Sequence, residues 1–157
     1  HLDWDNGTMK ITETGVQAFD SFERAGIRAA DMGSTETEKG EIFLLISLHI
    51  KNLDASSEGS DYINLRMFGP VKKNDFYKKQ EGILSSAEKL SYLDSHTKGS
   101  EKYQDRYYFY VHIPKGKEID CKIGIFANGE DYRKDRLLLK VGVDSPVKYA
   151  FLLKKEG

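Results

Sequence analysis

Apolar and polar positions alternate along much of this chain, and the alternation predicts strands. Its clearest stretch runs from Glu41 to Asn52, EIFLLISLHIKN. Ile42, Leu44, Ile46, Leu48 and Ile50 share one face at period two, and Phe43, Leu45, Ser47, His49 and Lys51 share the other. A pattern this regular, rich in β-branched residues, is that of a strand with one face in a core. Phe43 and Leu45 make the start of the second face apolar as well, so that end should be covered by another part of the chain.

Four further segments carry the same signal. In Arg106 to Ile113, Tyr107, Phe109, Val111 and Ile113 alternate with Arg106, Tyr108, Tyr110 and His112. Pro114-Lys115-Gly116-Lys117 then reads as a turn, because proline presets φ and glycine permits reversal. Glu118 to Phe126 follows, with Ile119, Cys121, Ile123 and Ile125 inward. Asn128-Gly129 reads as a hairpin turn. Arg136 to Val143 should place Leu137, Leu139, Val141 and Val143 inward. Val147 to Leu153 should do the same with Val147, Tyr149, Phe151 and Leu153, and Pro146 sits at its leading edge, where a missing N–H does little harm.

Weaker strands are expected at Met9–Thr14, Gly26–Met32 and Tyr62–Phe68. Residues 33–40 and 53–60 read as polar loops. The stretch 71–102 is the least regular, and SSAEKLSYL, residues 85–93, has the serine cap and early Glu88 of a short helix. The expected fold is therefore all-β: an immunoglobulin-like antiparallel sandwich of about seven to eight strands. Residues 1–8 read as a flexible lead and 9–157 as a single domain.

The quoted segments resemble DUF4352-type domains. A period-two strand ending in Lys51-Asn52 leads to Asp61-Tyr62-Ile63-Asn64-Leu65; further on come YYFYVHI, Pro114-Lys115-Gly116 and EIDCKIGIF. Such domains are similar to secreted mycobacterial antigens of the MPT63 kind. The resemblance spans roughly residues 9–143, with 71–102 longer than the pattern. It implies an immunoglobulin-like domain of an exported bacterial protein, often behind a lipoprotein leader. The family supplies no catalytic residue to carry over.

Composition narrows the choice of partner. The 157 residues hold 24 Lys+Arg against 25 Asp+Glu, a net charge of −1. That balance argues against a dedicated nucleic-acid binder, which carries a basic excess. The charge is uneven: residues 1–41 hold nine acids and four bases, read as an acidic lead on a mixed surface. No apolar run approaches the 18 or so residues of a membrane span. The single cysteine, Cys121, excludes an internal disulfide and leaves the compartment open. The chain begins at His1, so a leader or lipid anchor upstream remains an expectation.

Candidate chemistry is sparse. No nucleophile elbow, phosphate loop or cofactor motif occurs, and neither an enzyme nor a cofactor is expected. His49 and His112 both fall on outer strand faces, and they would approach each other if their strands were neighbours. A zinc site would need a third ligand, such as a loop carboxylate or His96. Two strand histidines are more often surface residues than metal ligands. Asp3-x-Asp5-Asn6-Gly7 has a passing likeness to a calcium loop, but the twelfth position is Thr14, not the bidentate glutamate required. Cys121 points inward, as an inert buried thiol does.

The aromatic cluster Tyr103, Tyr107, Tyr108, Phe109 and Tyr110 is the strongest surface signal. An outward row of Arg106, Tyr108, Tyr110 and His112 would form a contact face, since tyrosine and arginine dominate binding energy. The competing and commoner arrangement packs these rings beneath 71–102 or lines an ordinary sheet surface with them. The leading expectation is a non-enzymatic exported module binding a protein or cell-envelope component. The alternative is a small-ligand or metal-responsive sensor using His49, His112 and a carboxylate.

Overall fold

A computed structural model describes residues 2–5, 9–54, 62–64, 69–74, 90–94, 110–140 and 150–152. The fold is all-β and sandwich-like. Five strands form the largest sheet: β1 (Leu2–Asp5), β2 (Met9–Phe19), β3 (Glu41–Asn52), β8 (Glu118–Asn128) and β6 (Leu90–Leu93), in the order β1-β2-β3-β8-β6. A second sheet has the order β10-β9-β5, from Ala150–Leu152, Leu137–Lys140 and Gly69–Lys72. A third pairs β4 (Tyr62–Asn64) with β7 (Tyr110–His112). Every pairing is antiparallel.

The alternation in β3 and β8 does what its pattern dictates. Leu44, Ile46, Leu48 and Ile50 meet Cys121, Ile123 and Ile125 on the inner face. Ile11 and Val16 of β2 join them, and the opposing layer supplies Val111, Ile113, Leu137 and Leu139. Each such side chain taken from water contributes on the order of 1.5–3 kcal/mol.

Strand β2 runs five residues beyond the expected Met9–Thr14. Ile11 and Val16 are an odd number of residues apart, so plain alternation would place them on opposite faces. The pairing with β3 shifts register between Glu13 and Gly15. That bulge absorbs Thr14 and returns Val16 to the core side.

The expected cover over Phe43 and Leu45 is the segment between β2 and β3. Met32 is buried there with Phe43, Leu45 and Phe126, and Phe19, Phe22, Ala25, Ile27 and Tyr92 pack around them. Phe43 and Phe126 meet edge to face at 5.5 Å. Gly26–Met32 is not a strand. It lies among two 3-10 turns, Glu23–Ala25 and Ala29–Asp31, with Gly26 left-handed at φ 82° closing the first. Turn bonds from Asp31 N–H to the Arg28 carbonyl and from Met32 N–H to Ala29 replace ladder bonds.

Four other expectations change. Leu90–Leu93 is strand β6 rather than helix, because it finds a partner in β8, with Leu90 opposite Ile125; residues 85–89 lie outside the described residues. Asn128-Gly129 opens a short helix, α1 (Gly129–Arg133), instead of a hairpin. Strands β8 and β9 belong to different sheets, so their connection must cross the sandwich. The Asn128 side chain caps α1 by accepting from Asp131 N–H at 2.9 Å, and the Asp131 carboxylate lies 3.5 Å from Lys72 Nζ of β5. Residues 2–5 of the expected lead form edge strand β1, with Trp4 opposite Ile11. Where the ends are described, boundaries shift by a residue or two: β7 ends at His112 rather than Ile113, β9 starts at Leu137 rather than Arg136, and β8 runs to Asn128 rather than Phe126; residues 65–68, 106–109, 141–143, 147–149 and 153 of the expected strands lie outside the described residues.

The Pro114–Lys117 turn forms as expected. Lys117 N–H bonds back to the Pro114 carbonyl at 2.9 Å, and Gly116 takes a φ of 81° that a side chain would resist.

Candidate functional site

The outer face of the large sheet divides in two. Around Phe43 and Phe126 it is apolar and covered. Toward the other end of β3 and β8 it is polar. There the register sets Ser47 opposite Lys122, His49 opposite Asp120, and Lys51 opposite Glu118. On the β2 side, Thr12 lies opposite His49 and Lys10 opposite Lys51. Glu118, Asp120, Lys122 and Lys10 are exposed, and Ser47, His49, Lys51 and Thr12 are half-buried.

His49 is the centre of this patch. Its Nδ1 lies 2.7 Å from Asp120 Oδ1, directly across the strand pair. Its Nε2 lies 3.6 Å from Glu118 Oε1, the diagonal neighbour. The hydrogen bond to Asp120 raises the imidazole pKa above its ordinary value; partial burial works against this, and the charges of Asp120 and Glu118 add to the rise.

His112 does not join His49. It is half-buried on β7, opposite Tyr62 of β4, whereas β3 is flanked by β2 and β8. The two strands belong to different sheets, so the shared histidine site is not formed. Among the described residues no group of three or more His, Cys, Asp or Glu side chains is placed to hold a metal ion. Asp3 and Asp5 lie within strand β1, opposite Thr12 and Lys10, so no calcium loop begins at Asp3.

Of the expected contact row, Tyr110 opens β7 at the register position opposite Asn64. Arg106 and Tyr108 lie outside the described residues, as do His96, Tyr103, Tyr107 and Phe109. Cys121 is buried in the core, and loss of solvent pushes its thiol pKa up to about 12. At neutral pH the buried thiol stays protonated and is a poor nucleophile.

The described residues also line an open concavity of about 150 Å³, between Ala18, Phe19, Asp20, Ile42, Tyr132 and Arg133. Small-molecule sites commonly occupy about 300–1,000 Å³. No helix among the described residues is long and apolar enough to cross a membrane.

The sequence pattern of DUF5027, a domain of unknown function, matches residues 11–156. The chain belongs to the DUF5027 family. This assignment takes the place of DUF4352 as the family. No curated protein and no solved structure matches the chain.

Three residues of this DUF5027 domain have structural partners that the sequence pattern does not show. Glu118 and Asp120 alternate on the outer face of a recognisable strand, but their proximity to His49 depends on the register between β3 and β8. Asn52 stood out only as the last residue of its strand. It is fully buried, and its Nδ2 donates to the Ile113 carbonyl at 2.7 Å.

Proposed function

We propose that this DUF5027 domain is a non-enzymatic binding module of an exported bacterial protein, displayed on a cell-surface lipoprotein or released. Its partner is a protein or a cell-envelope component. The observation that carries the reading is the polar end of the large sheet's outer face, where Glu118, Asp120 and Lys122 are exposed. There Ser47, His49, Lys51, Glu118, Asp120 and Lys122 form three cross-strand pairs that carry charges of both signs. A sheet face of both signs suits a macromolecular surface, where charge complementarity sets register and partner choice. The row Arg106, Tyr108, Tyr110 and His112 supplies a second contact element of the residue types that dominate interface energy.

Site-specific photo-crosslinking in the native bacterium tests this. A photoreactive amino acid is placed at position 122 on the polar face, at 108 in the aromatic row, or at Arg24 on the 3-10 segment. The proposal expects one discrete adduct from 122, from 108 or from both, and none from 24. Adducts of equal yield at all three positions, or none at 122 and 108, would overturn it.

A further inference from the structure

The His49 arrangement presents a protonation problem. A neutral imidazole has one ring N–H and one lone pair, whereas the imidazolium has two N–H donors. Both His49 nitrogens face carboxylate oxygens, Asp120 at 2.7 Å and Glu118 at 3.6 Å. A neutral ring donating to Asp120 turns its lone pair toward Glu118, and the opposite tautomer turns it toward Asp120. Only the charged ring donates to Asp120 and at the same time holds an attractive ionic contact with Glu118, which at 3.6 Å lies beyond hydrogen-bond distance.

We propose that His49 is a proton-operated latch on the open face of the large sheet. As the imidazolium it ties β3 to both carboxylates of β8. When it loses its proton it releases one of them and leaves the face one unit more negative. This regulates the face assigned above to binding, and that part of the proposal rests on the binding reading.

The surrounding charges define the two states. From β8 the ring meets Asp120 and Glu118, with Lys122 one pair further along. Lys51 follows on its own strand and lies opposite Glu118. From β2, Thr12 lies opposite and Lys10 sits beside Lys51; β1 places Asp3 opposite Thr12 and Asp5 opposite Lys10. In the closed state His49 contacts both β8 carboxylates, with Lys51 at the register position opposite Glu118. In the open state Lys51 is the cation left beside Glu118.

The sign of the pH response follows. The folded-state pKa of His49 lies above its ordinary value of 6.5. Folding therefore favours the protonated ring. The latch's contribution is fully present below about pH 6.5 and is lost as pH rises through the raised folded-state value. The window lies on the alkaline side of 6.5. At a third exposed, the ring is partly screened by solvent, so its conformational effect is local.

The test is a titration of the ring nitrogens by NMR on the whole chain across the neutral range. The chain has four histidines, and the signal missing from His49→Gln assigns the one of interest. The expected result is a His49 midpoint above 6.5 that falls toward 6.5 in Asp120→Asn, with a smaller fall in Glu118→Gln. A wild-type midpoint at or below 6.5 would overturn the latch, as would a midpoint unmoved by Asp120→Asn. No binding partner is needed. A failed titration removes the latch and leaves the binding reading standing, whereas failed crosslinking does the reverse.

Discussion

Replacing Asn52 removes a buried polar link between the two layers. Its side chain donates to the Ile113 carbonyl at the end of β7, and its backbone holds the following turn through Asn52 N–H to the Lys117 carbonyl and Gly116 N–H to the Asn52 carbonyl. Asn52 and Ile113 are both fully buried. In Asn52→Ala the two backbone bonds survive, but the Ile113 carbonyl loses its amide donor. An unmet buried acceptor costs about 1–3 kcal/mol. In a chain of this size about 2 kcal/mol lowers Tm by roughly 4–8 °C. Asn52→Asp sharpens the test. An ionised carboxylate there faces the Ile113 carbonyl oxygen with no proton to give, so it destabilises more than alanine at neutral pH. Burial raises the folded-state pKa of such an aspartate. Its proton is then bound more tightly in the folded chain, and the deficit relative to wild type shrinks as pH falls. Urea unfolding of the three proteins at neutral and mildly acid pH measures both effects. An Asn52→Ala protein within about 0.5 kcal/mol of wild type, the range of an ordinary surface substitution, would refute the reasoning. So would an Asn52→Asp protein whose deficit is independent of pH.

Other substitutions probe the core. A Cβ at Gly124 would overlap the Phe43 ring and lie 2.8 Å from the Tyr92 Cβ on the adjacent strand. Gly124→Ala should cost about 1–3 kcal/mol by overpacking. Adding Phe43→Leu should return part of that loss in a double-mutant cycle of unfolding free energies, and strict additivity would contradict the packing account. Cys121, with its thiol held near 12, should resist a thiol reagent at slightly alkaline pH until denaturant is added; prompt labelling of the folded chain would show the thiol to be accessible.

How far the sequence carried depended on whether each element stood alone. Strands β3 and β8 were legible because their inner faces repeat strictly at period two, and the extra apolar pair Phe43 and Leu45 announced a cover. Its identity was not legible. The covering segment holds Met32 and Ile27 down through 3-10 turns and a left-handed Gly26, a pattern with no period to read. Strand β2 was cut short because the bulge at Thr14 breaks alternation, although it preserves the inward face in space. Strand β6 looked helical because the local composition of 85–93 favours a capped turn, and pairing with β8 overrode that preference. The polar patch failed to show for a related reason. Its outer-face residues could be assigned strand by strand, but only the register between β3 and β8 brings Asp120 and Glu118 to His49. The His49–His112 pairing assumed neighbouring strands, and a one-dimensional pattern holds no strand order.

These observations divide the large sheet's outer face between stability and recognition. One end, from Phe43 to Phe126, is closed by the chain itself. The other carries cross-strand charges on the same strands, with Glu118, Asp120 and Lys122 exposed, and is anchored below by the fully buried Ile46, Leu48 and Ile50. Charge changes there should alter binding far more than folding, since exposed substitutions seldom shift stability by more than about 0.5 kcal/mol.

The most direct test of the binding reading is the affinity of the crosslinked partner for two double variants, Lys10→Glu with Lys122→Glu at exposed positions of the sheet face and Tyr108→Ala with Tyr110→Ala in the aromatic row. The account predicts that at least one pair weakens binding by about tenfold or more, roughly 1.4 kcal/mol, while the unfolding transition stays near that of wild type. Unchanged affinity in both, with the fold intact, would contradict it.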